Sequence, residues 1–307
     1  MAKAIVLSDY GPPEVLVPGQ VEIGPPAAGQ IRVNVRLAGV GPTDLAIRSG
    51  RLKGAFDAQP GSVLGFEASG VVAAAGPDAG DVQPGDAVAV FLPELGGYAE
   101  QVLARYWVKV PEPVSPQDAA ALPASGEAAA RVVDEVGVAP DETVLIAGAA
   151  GSVGLIACQL AAARGAHVLA AVRPADFDAV AQVGAVPVAF GADLVAEVKA
   201  HAPAVDAVID ASGAGVLGAA VELAGGPARV VTLSDPAAPG FGVRLSGPDG
   251  PHVAQRLQAV MDLLAAGRLT LRAQTVIPLA DAAGAHRALE SHQLRAKVLL
   301  STGVARP

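Results

Sequence analysis

The feature that most constrains the fold is a short apolar strand followed at once by a glycine-rich turn and an apolar helix. The strand covers 144–147, and Gly151 and Gly154 occupy the last two glycine positions of the pattern G-x-G-x-x-G, with Ala149 at the first. A second apolar stretch, 166–172, is interpreted as a parallel strand that closes a βαβ unit. Such a turn lets backbone N–H groups approach a diphosphate at the helix N-terminus, so the pattern predicts a dinucleotide site.

The same stretch has a second interpretation, a membrane-spanning helix. The segment from Thr143 to Ala163 carries no charged residue and is long enough to cross a bilayer. Three glycines at its centre and the amphipathic βα pattern that follows favour a buried strand and helix instead.

Length, composition and net charge limit the class of protein to which this chain can belong. A chain of 307 residues can hold two domains, and 52% hydrophobic residues with few aromatics suit packed α/β layers. A net charge of −9 without a basic run argues against nucleic acid and anionic membrane surfaces as partners. Met1 to Leu7 is interpreted as a strand and not as a signal peptide. The single cysteine, Cys158, excludes an internal disulfide, favours a cytoplasmic location and is expected to be buried.

Two patterns divide the chain near residue 113. The first part is rich in β-branched residues, glycine and proline and predicts an irregular β domain with strands at 2–7, 31–37, 70–75, 87–91, 99–102 and 108–110. The second part alternates helices with apolar strands at 144–147, 168–172, 186–190, 207–210 and 230–233. That alternation predicts an α/β fold with a doubly wound parallel sheet. A helix (253–266), a strand (275–279), a helix (282–291) and a last strand (297–301) follow.

Short motifs recur in a fixed order along nearly the whole chain: 10–16 (YGPPEVL), 38–44 (AGVGPTD), 65–72 (GFEASGVV), 85–88 (GDAV), 96–100 (GGYAE), 120–123 (AALP), the glycine turn, 205–210 (VDAVID) and 285–300. In order and spacing they resemble the medium-chain dehydrogenase/reductase superfamily, and more closely its zinc-free quinone oxidoreductase (zeta-crystallin-like) branch. The resemblance implies a GroES-like domain at 1–113 completed by 254–307, and a Rossmann dinucleotide-binding domain at 114–253. It also implies an active site in the cleft between them and a homodimer.

The residues present predict a metal-free protein. Zinc-dependent relatives have a cysteine and a histidine where this chain has Gly41 and Phe66, and neither of these can bind zinc. One cysteine cannot form a four-cysteine structural site. The histidines after His167 lack ligand spacing and are interpreted as solvated helix ends: His201, His252, His286 and His292.

The end of the second strand of the βαβ unit predicts NADPH as the cofactor. NAD-preferring sites carry an acidic residue there, whereas this strand is followed by Arg173, whose guanidinium suits a 2′-phosphate. The alternative is an ordinary exposed arginine. Asp176 and Asp178 are a mild objection and are interpreted as the start of the next helix.

The remaining cofactor residues follow from the turn and from the resemblance. The turn assigns the diphosphate to Gly151, Ser152 and Val153, and Gly148 and Ala150 of the same turn are further candidate cofactor-binding residues. The resemblance implies that Ser212 and Gly213 flank the ribose, that Leu233 and Ser234 lie near the nicotinamide, and that Lys297 reaches the cofactor although Ala296 replaces a glycine.

The chain departs from the family pattern at the substrate. Relatives often have asparagine, tyrosine and threonine where this chain has Gly41, Ala46 and Ala128, so Gly41 and Ala46 predict an enlarged substrate pocket. The candidate catalytic groups that remain are Ser125, Glu127 and Asp44. Glu127 is more simply a first-turn helix carboxylate, and Asp44 and Glu67 are more simply structural. Tyr98 is expected to pack within the β domain.

The resulting hypothesis is an NADPH-dependent reductase of activated C=C bonds, with an enone or quinone as substrate and a proton supplied by water or by Glu127. A second hypothesis is an NADP(H)-binding protein with little redox turnover, such as a scaffold, a sensor or a non-redox pathway enzyme. Alcohol dehydrogenation is disfavoured because a carbonyl would have to be polarised without zinc.

Overall fold

The computed structural model describes residues 1–56 and 58–304, which form two compact units. Unit 1 contains Met1–Ala124, Leu257–Ala265 and the residues from Ala273 onward, and unit 2 contains Ser125–Arg256 and Ala266–Arg272. The sequence pattern places the corresponding domain boundaries at residues 113 and 253, and those boundaries stay a prediction.

The elements are numbered along the chain. The strands of the described residues are β1 (Ala2–Leu7), β2 (Leu16–Val21), β3 (Ile31–Val40), β4 (Glu67–Ala75), β5 (Ala87–Phe91), β6 (Gln101–Ala104), β7 (Tyr106–Lys109), β8 (Thr143–Ala147), β9 (His167–Val172), β10 (Val186–Ala189), β11 (Ala207–Asp210), β12 (Val230–Thr232), β13 (Arg244–Leu245), β14 (Gln274–Pro278) and β15 (Lys297–Ser301). The helices are α1 (Pro42–Arg48), α2 (Pro116–Ala121), α3 (Pro123–Glu135), α4 (Ser152–Ala163), α5 (Phe177–Ala181), α6 (Leu194–Lys199), α7 (Leu217–Leu223), α8 (Ala238–Phe241), α9 (Val253–Ala265) and α10 (Ala282–Glu290), with 3₁₀ turns at Pro13–Val15, Pro174–Asp176 and Leu279–Asp281.

Unit 1 is built around a mainly antiparallel sheet of order β14-β15-β3-β4-β5-β7, in which β6 also pairs with β3. In the first half of β3 buried Ile31, Val33 and Val35 alternate with partly exposed residues, so that one face covers the core. The late strand β15 pairs antiparallel with the far end of β3, where Leu299 lies opposite Gly39. Segments far apart in the sequence therefore share one sheet.

Unit 2 is a parallel sheet of order β10-β9-β8-β11-β12-β13. The central strand β8 is fully buried from Val144 to Ala147, as expected for a strand covered by helices on both faces. The chain moves from β8 outward to β10 and then returns to β11 on the other side of β8. This doubly wound order confirms the predicted fold class and creates a switch point at the carboxyl end of β8, where ligands bind in sheets of this type.

The segment weighed as a membrane span forms β8, the glycine turn and α4. Within the described ranges the structure contains no helix with the length and apolar character needed to cross a membrane.

Strand β2 was not expected from the sequence, because Pro18 and Gly19 interrupt its pattern. Among the strands of the described residues it pairs only with β1, in a separate two-stranded sheet. A proline is tolerated on such an edge because the missing N–H has no ladder partner to lose.

Candidate functional site

The glycine turn of unit 2 brings α4 against the end of β8. Gly148 has a φ of +73°, and a Cβ at this position would lie 2.9 Å from the backbone nitrogen of Ser212. A Cβ at Gly154 would clash with the carbonyl oxygen of Gly148. Backbone approaches backbone at both positions, so both require glycine.

The N-terminus of α4 presents amides of the kind that bind anions. Gly151 is the N-cap in extended conformation, and the first amides of the helix, at Ser152 and Val153, have no acceptor within the helix. A Cβ at Gly151 would meet one neighbour, the Gly148 carbonyl oxygen at 3.2 Å, and otherwise open space. The positive end of the helix dipole adds to the attraction for a negative group. The turn therefore fits a diphosphate.

Two further loops leave the sheet at the same edge, because the carboxyl ends of parallel strands lie together. Ser212 and Gly213 follow β11, and Leu233 and Ser234 follow β12. Gly213 has a φ of +59°, and a Cβ there would clash with Ser234 Oγ, so the two loops touch. The structure brings these four residues to the edge that carries the glycine turn; their contact with a cofactor stays a prediction.

Arg173 directly follows β9 and its side chain is 53% exposed. Its Nε and Nη2 both lie 3.1 Å from Asp176 Oδ2. Asp176 ends a 3₁₀ turn and precedes α5, so it stands at the start of the next helix as expected, but the ion pair was not foreseen. An exposed pair of this kind contributes little to stability, so a phosphate can compete for the guanidinium.

Glu127 occupies a buried position in α3 and does not lie at an exposed helix start. Arg131 Nε donates to both carboxylate oxygens, at 3.1 and 3.2 Å, and Arg256 Nη1 donates to Oε1 at 3.3 Å. Burial raises the pKa of Glu127, and the charges of Arg131 and Arg256 oppose that rise. The interpretation as a first-turn carboxylate is wrong, because α3 begins at Pro123 and Glu127 is fully buried.

The same ion-pair network extends to the segment after β13. Arg131 donates to Ser246 Oγ, and Arg256 pairs with Asp249 at 2.9 Å. A general acid needs a proton to donate, whereas a carboxylate between two guanidiniums acts as an acceptor. The geometry therefore speaks against Glu127 as a proton donor. Ser125 is buried on the same helix, and its catalytic role stays a prediction.

Asp44 is buried in unit 1 at the start of α1. Its carboxylate oxygens accept the amides of Gly41 at 2.8 Å and Gly65 at 2.9 Å, which ties the helix to the loop before β4. Burial raises the pKa of Asp44 to about 7 in spite of these donors. The contacts favour the structural role over the catalytic one.

Lys297 forms a buried ion pair with Glu67 and also donates to the Val40 carbonyl oxygen at 3.1 Å. The other oxygen of Glu67 accepts the amide of Ala124 at 2.8 Å. The ammonium charge of Lys297 is therefore already neutralised within unit 1, and a cofactor contact would have to compete with Glu67. The prediction that Lys297 reaches the cofactor remains open to test.

The two positions at which zinc-dependent relatives have zinc ligands form other interactions in this structure. Gly41 caps α1, and Phe66 packs edge-on against Phe56 with ring centroids 5.4 Å apart. In residues 1–56 and 58–304, no group of three or more His, Cys, Asp or Glu side chains is arranged to hold a metal ion. Gly41 and Ala46, the predicted pocket residues, are both half-buried.

His286 is fully buried in α10, so its interpretation as a solvated residue is wrong. Its Nε2 lies 3.1 Å from the hydroxyl of Tyr98, which is likewise fully buried. Burial, together with the charge of Arg48, lowers the pKa of His286 to about 3. Its spacing from Ala282 and Leu289, on the apolar face of the helix, is the sequence signal that identifies it as a core residue.

A doubly wound parallel sheet with a glycine turn at its switch point, in a chain that also folds a mainly antiparallel unit, defines a two-unit dinucleotide-binding protein. The profile of the alcohol dehydrogenase GroES-like domain matches residues 27–112, and that of the zinc-binding dehydrogenase family matches residues 165–300. The chain belongs to the medium-chain dehydrogenase/reductase superfamily, in its quinone oxidoreductase branch.

Known proteins of similar sequence match part of the chain. Human quinone oxidoreductase is 34% identical over 175 residues, which cover 55% of this chain and 52% of that protein. A 2-haloacrylate reductase from Burkholderia is 34% identical over 177 residues, 56% of this chain and 53% of that protein. The chain thus spans about half the length of these curated relatives.

The similarity in structure extends over the whole fold. The quinone oxidoreductase of Pseudomonas syringae is 27% identical, with a TM-score of 0.85, over 98% of this chain and 100% of that chain.

Proposed function

We propose that the protein is an NADPH-dependent, zinc-independent reductase of activated C=C bonds, with an enone or a quinone as substrate. The observation that carries the proposal is the glycine turn at the switch point of unit 2. Free helix amides, a glycine that leaves space beside them and two adjoining loops form a cradle for a dinucleotide.

In this proposal, different residues of unit 2 bind different parts of the cofactor. Gly148, Ala150, Gly151, Ser152 and Val153 bind the diphosphate through the turn and the helix N-terminus. Ser212 and Gly213 bind the ribose, and Leu233 and Ser234 border the nicotinamide. Arg173 binds the 2′-phosphate after leaving Asp176, and so exchanges a carboxylate for a more highly charged partner.

When bound, the reduced nicotinamide supplies a hydride to an electron-poor carbon of the substrate. The role of the chain is to orient the two reactants and to exclude competing reactions. Because Glu127 accepts hydrogen bonds from Arg131, and Asp44 accepts them from the amides of Gly41 and Gly65, water is the proposed proton source.

The names of the relatives support this substrate class. A 2-haloacrylate and a quinone both contain a C=C bond that a conjugated carbonyl group makes electron-poor, so both can accept hydride at carbon. Zinc independence rests on Gly41 and Phe66, which offer no metal-binding atom. Alcohol dehydrogenation stays disfavoured because it would need such a metal. A cytoplasmic homodimer remains the expectation from the sequence.

A second candidate function is an NADP(H)-binding protein with little redox turnover. The small residues Gly41, Ala46 and Ala128 favour it, since relatives often have polar side chains at these three positions. Both candidates bind the cofactor, and they differ in turnover.

The experiment is to follow NADPH oxidation by the purified, chelator-treated protein with a panel of enones and quinones, against a control without substrate. Turnover that survives chelation supports the reductase. Tight binding of NADPH without turnover on any substrate favours the second candidate. Activity that returns only with added zinc contradicts the proposal.

A further inference from the structure

A buried carboxylate lies under the two loops that adjoin the glycine turn. Asp210, the last residue of β11, is fully buried, and the ion pairs of residues 1–56 and 58–304 do not include it. Its Oδ1 accepts the amide of Ser212 at 2.9 Å, the hydroxyl of Ser212 at 2.6 Å and the amide of Gly213 at 3.2 Å. One oxygen therefore holds the whole start of the first loop.

The second oxygen of Asp210 is connected to the second loop through Thr232, the last residue of β12. The Thr232 hydroxyl donates to Asp210 Oδ2 at 2.8 Å and accepts the amides of Asp235 at 3.2 Å and Ser234 at 3.4 Å. A hydroxyl offers one donor and two acceptor sites, so all its capacity is used. The Asp210 carbonyl also accepts the amide of Leu233 at 3.0 Å.

The hydrogen bonds of Asp210 leave few alternatives for the loop conformations. Gly213 touches Ser234, and Gly148 of the glycine turn approaches the Ser212 backbone, so the three segments interlock. The Ser212 hydroxyl donates its hydrogen bond to Asp210, so toward a ligand it can act only as an acceptor. Burying a carboxylate without a cation is unfavourable unless several donors compensate, as they do here.

We infer that Asp210 and Thr232 are a pair of positioning residues that fix the 212–214 and 233–235 loops in the shape that receives the ribose and nicotinamide. The inference rests on the proposed function and adds residues that do not themselves touch the cofactor. Loops already ordered before binding lose less conformational entropy on binding, which strengthens affinity.

The test is a series at Thr232, with NADPH affinity and amide hydrogen exchange of the apoprotein as the two readouts. Thr232→Val removes the hydroxyl at nearly constant volume and should weaken NADPH binding about tenfold or more, the effect of losing a hydrogen bond to a charged group. Thr232→Ser restores the hydroxyl and should bind within about twofold of wild type. Thr143→Val is the matched control, the same change at the opposite end of β8, a strand separated from β12 by β11.

Hydrogen exchange reports on the loops without cofactor or turnover. In Thr232→Val the amides of 212–214 and 233–235 should exchange about tenfold faster, whereas those of 149–153 should keep their rates. If Thr232→Val does not fold, Asp210→Asn takes its place, and the same local pattern is expected. The NH₂ group of the asparagine would face the donating hydroxyl of Thr232 with another donor, and the carboxylate charge would be absent.

The outcomes separate the two claims. If wild type does not bind NADPH, the proposed function fails and the inference fails with it. If wild type binds but Thr232→Val matches it in affinity and exchange, the positioning role is wrong and the proposed function stands. A Thr232→Ser protein as weak as Thr232→Val, or a Thr143→Val protein equally affected, would also overturn the positioning role.

Discussion

Arg131 donates from Nε to both carboxylate oxygens of Glu127, one helical turn earlier in α3, at 3.1 and 3.2 Å. Glu127→Ala leaves two guanidiniums facing a site without a counter-charge. We expect the free energy of unfolding to fall by about 3–5 kcal/mol, as when one partner of a buried pair is removed. Chemical denaturation of both proteins measures this change.

The substitution Glu127→Gln, which keeps the shape of the side chain, distinguishes a structural role of this residue from a catalytic one. We expect kcat of the folded variant to stay within about threefold of wild type, whereas a general acid predicts a loss of about a hundredfold or more. Glu197→Gln, at an exposed position of α6 in the same unit, is the matched control and should change neither stability nor kcat. A hundredfold loss in Glu127→Gln alone would restore Glu127 as the proton donor.

His286 should make the fold sensitive to acid. Burial lowers its pKa to about 3 from an ordinary 6.5, so the folded protein favours the neutral ring. Its contribution to stability is present above pH 6.5 and is lost as the pH falls toward 3, with a slope approaching about 1.4 kcal/mol per pH unit. His286→Gln keeps a polar partner for Tyr98 and does not titrate, so the variant should lose less stability on acidification.

Asp44 acts in the opposite direction, because its pKa is raised to about 7 and its contribution to stability is lost as the pH rises through that value. Both wild type and His286→Gln contain Asp44, so its contribution cancels. The difference in unfolding free energy between the two proteins therefore reports the contribution of the histidine. Parallel curves for the two proteins between pH 3 and 6.5 would show that His286 is solvated or already charged.

The sequence pattern predicts those parts of the fold that depend on interactions between residues close together in the chain. The unbroken apolar run of β8, the glycines of the turn and the alternation of strands and helices were sufficient to predict the doubly wound sheet. The side-chain partners were not predictable in this way, because Glu127 meets Arg256 and Glu67 meets Lys297 only after the chain has folded. His286 is an intermediate case, since the periodicity of α10 contains the signal.

Arg173 should control the choice of nicotinamide cofactor. Arg173→Ala should weaken NADPH binding roughly tenfold to a hundredfold, the effect of losing a charge-assisted contact to phosphate, and leave NADH unchanged. Asp176→Asn removes the competing carboxylate and should strengthen NADPH binding. Equilibrium titrations of both cofactors measure these effects. An unchanged NADPH preference in Arg173→Ala would assign the 2′-phosphate to other residues.

The predicted substrate pocket should accept bulky substrates. Position 41 has room for a side chain, since a Cβ there would meet Asp44 Oδ2 at 3.6 Å, an ordinary contact distance. Multi-ring quinones or long enones should give a higher kcat/KM than small enones. Ala46→Tyr should reduce kcat/KM for the large substrates and spare the small ones, and Ala46→Ser is the matched control. A wild type that prefers small enones, with Ala46→Tyr neutral on both, would remove the case for an enlarged pocket.

The most direct test of the whole account is an equilibrium titration of NADPH against wild type, Gly151→Val and Gly24→Val. A side chain at Gly151 would fill the open space beside the first amides of α4, so this variant should fold but lose measurable affinity. Gly24 is exposed with no atom within 4 Å of a Cβ, and its variant should bind as wild type does. Undiminished NADPH affinity in a well-folded Gly151→Val protein would contradict the account.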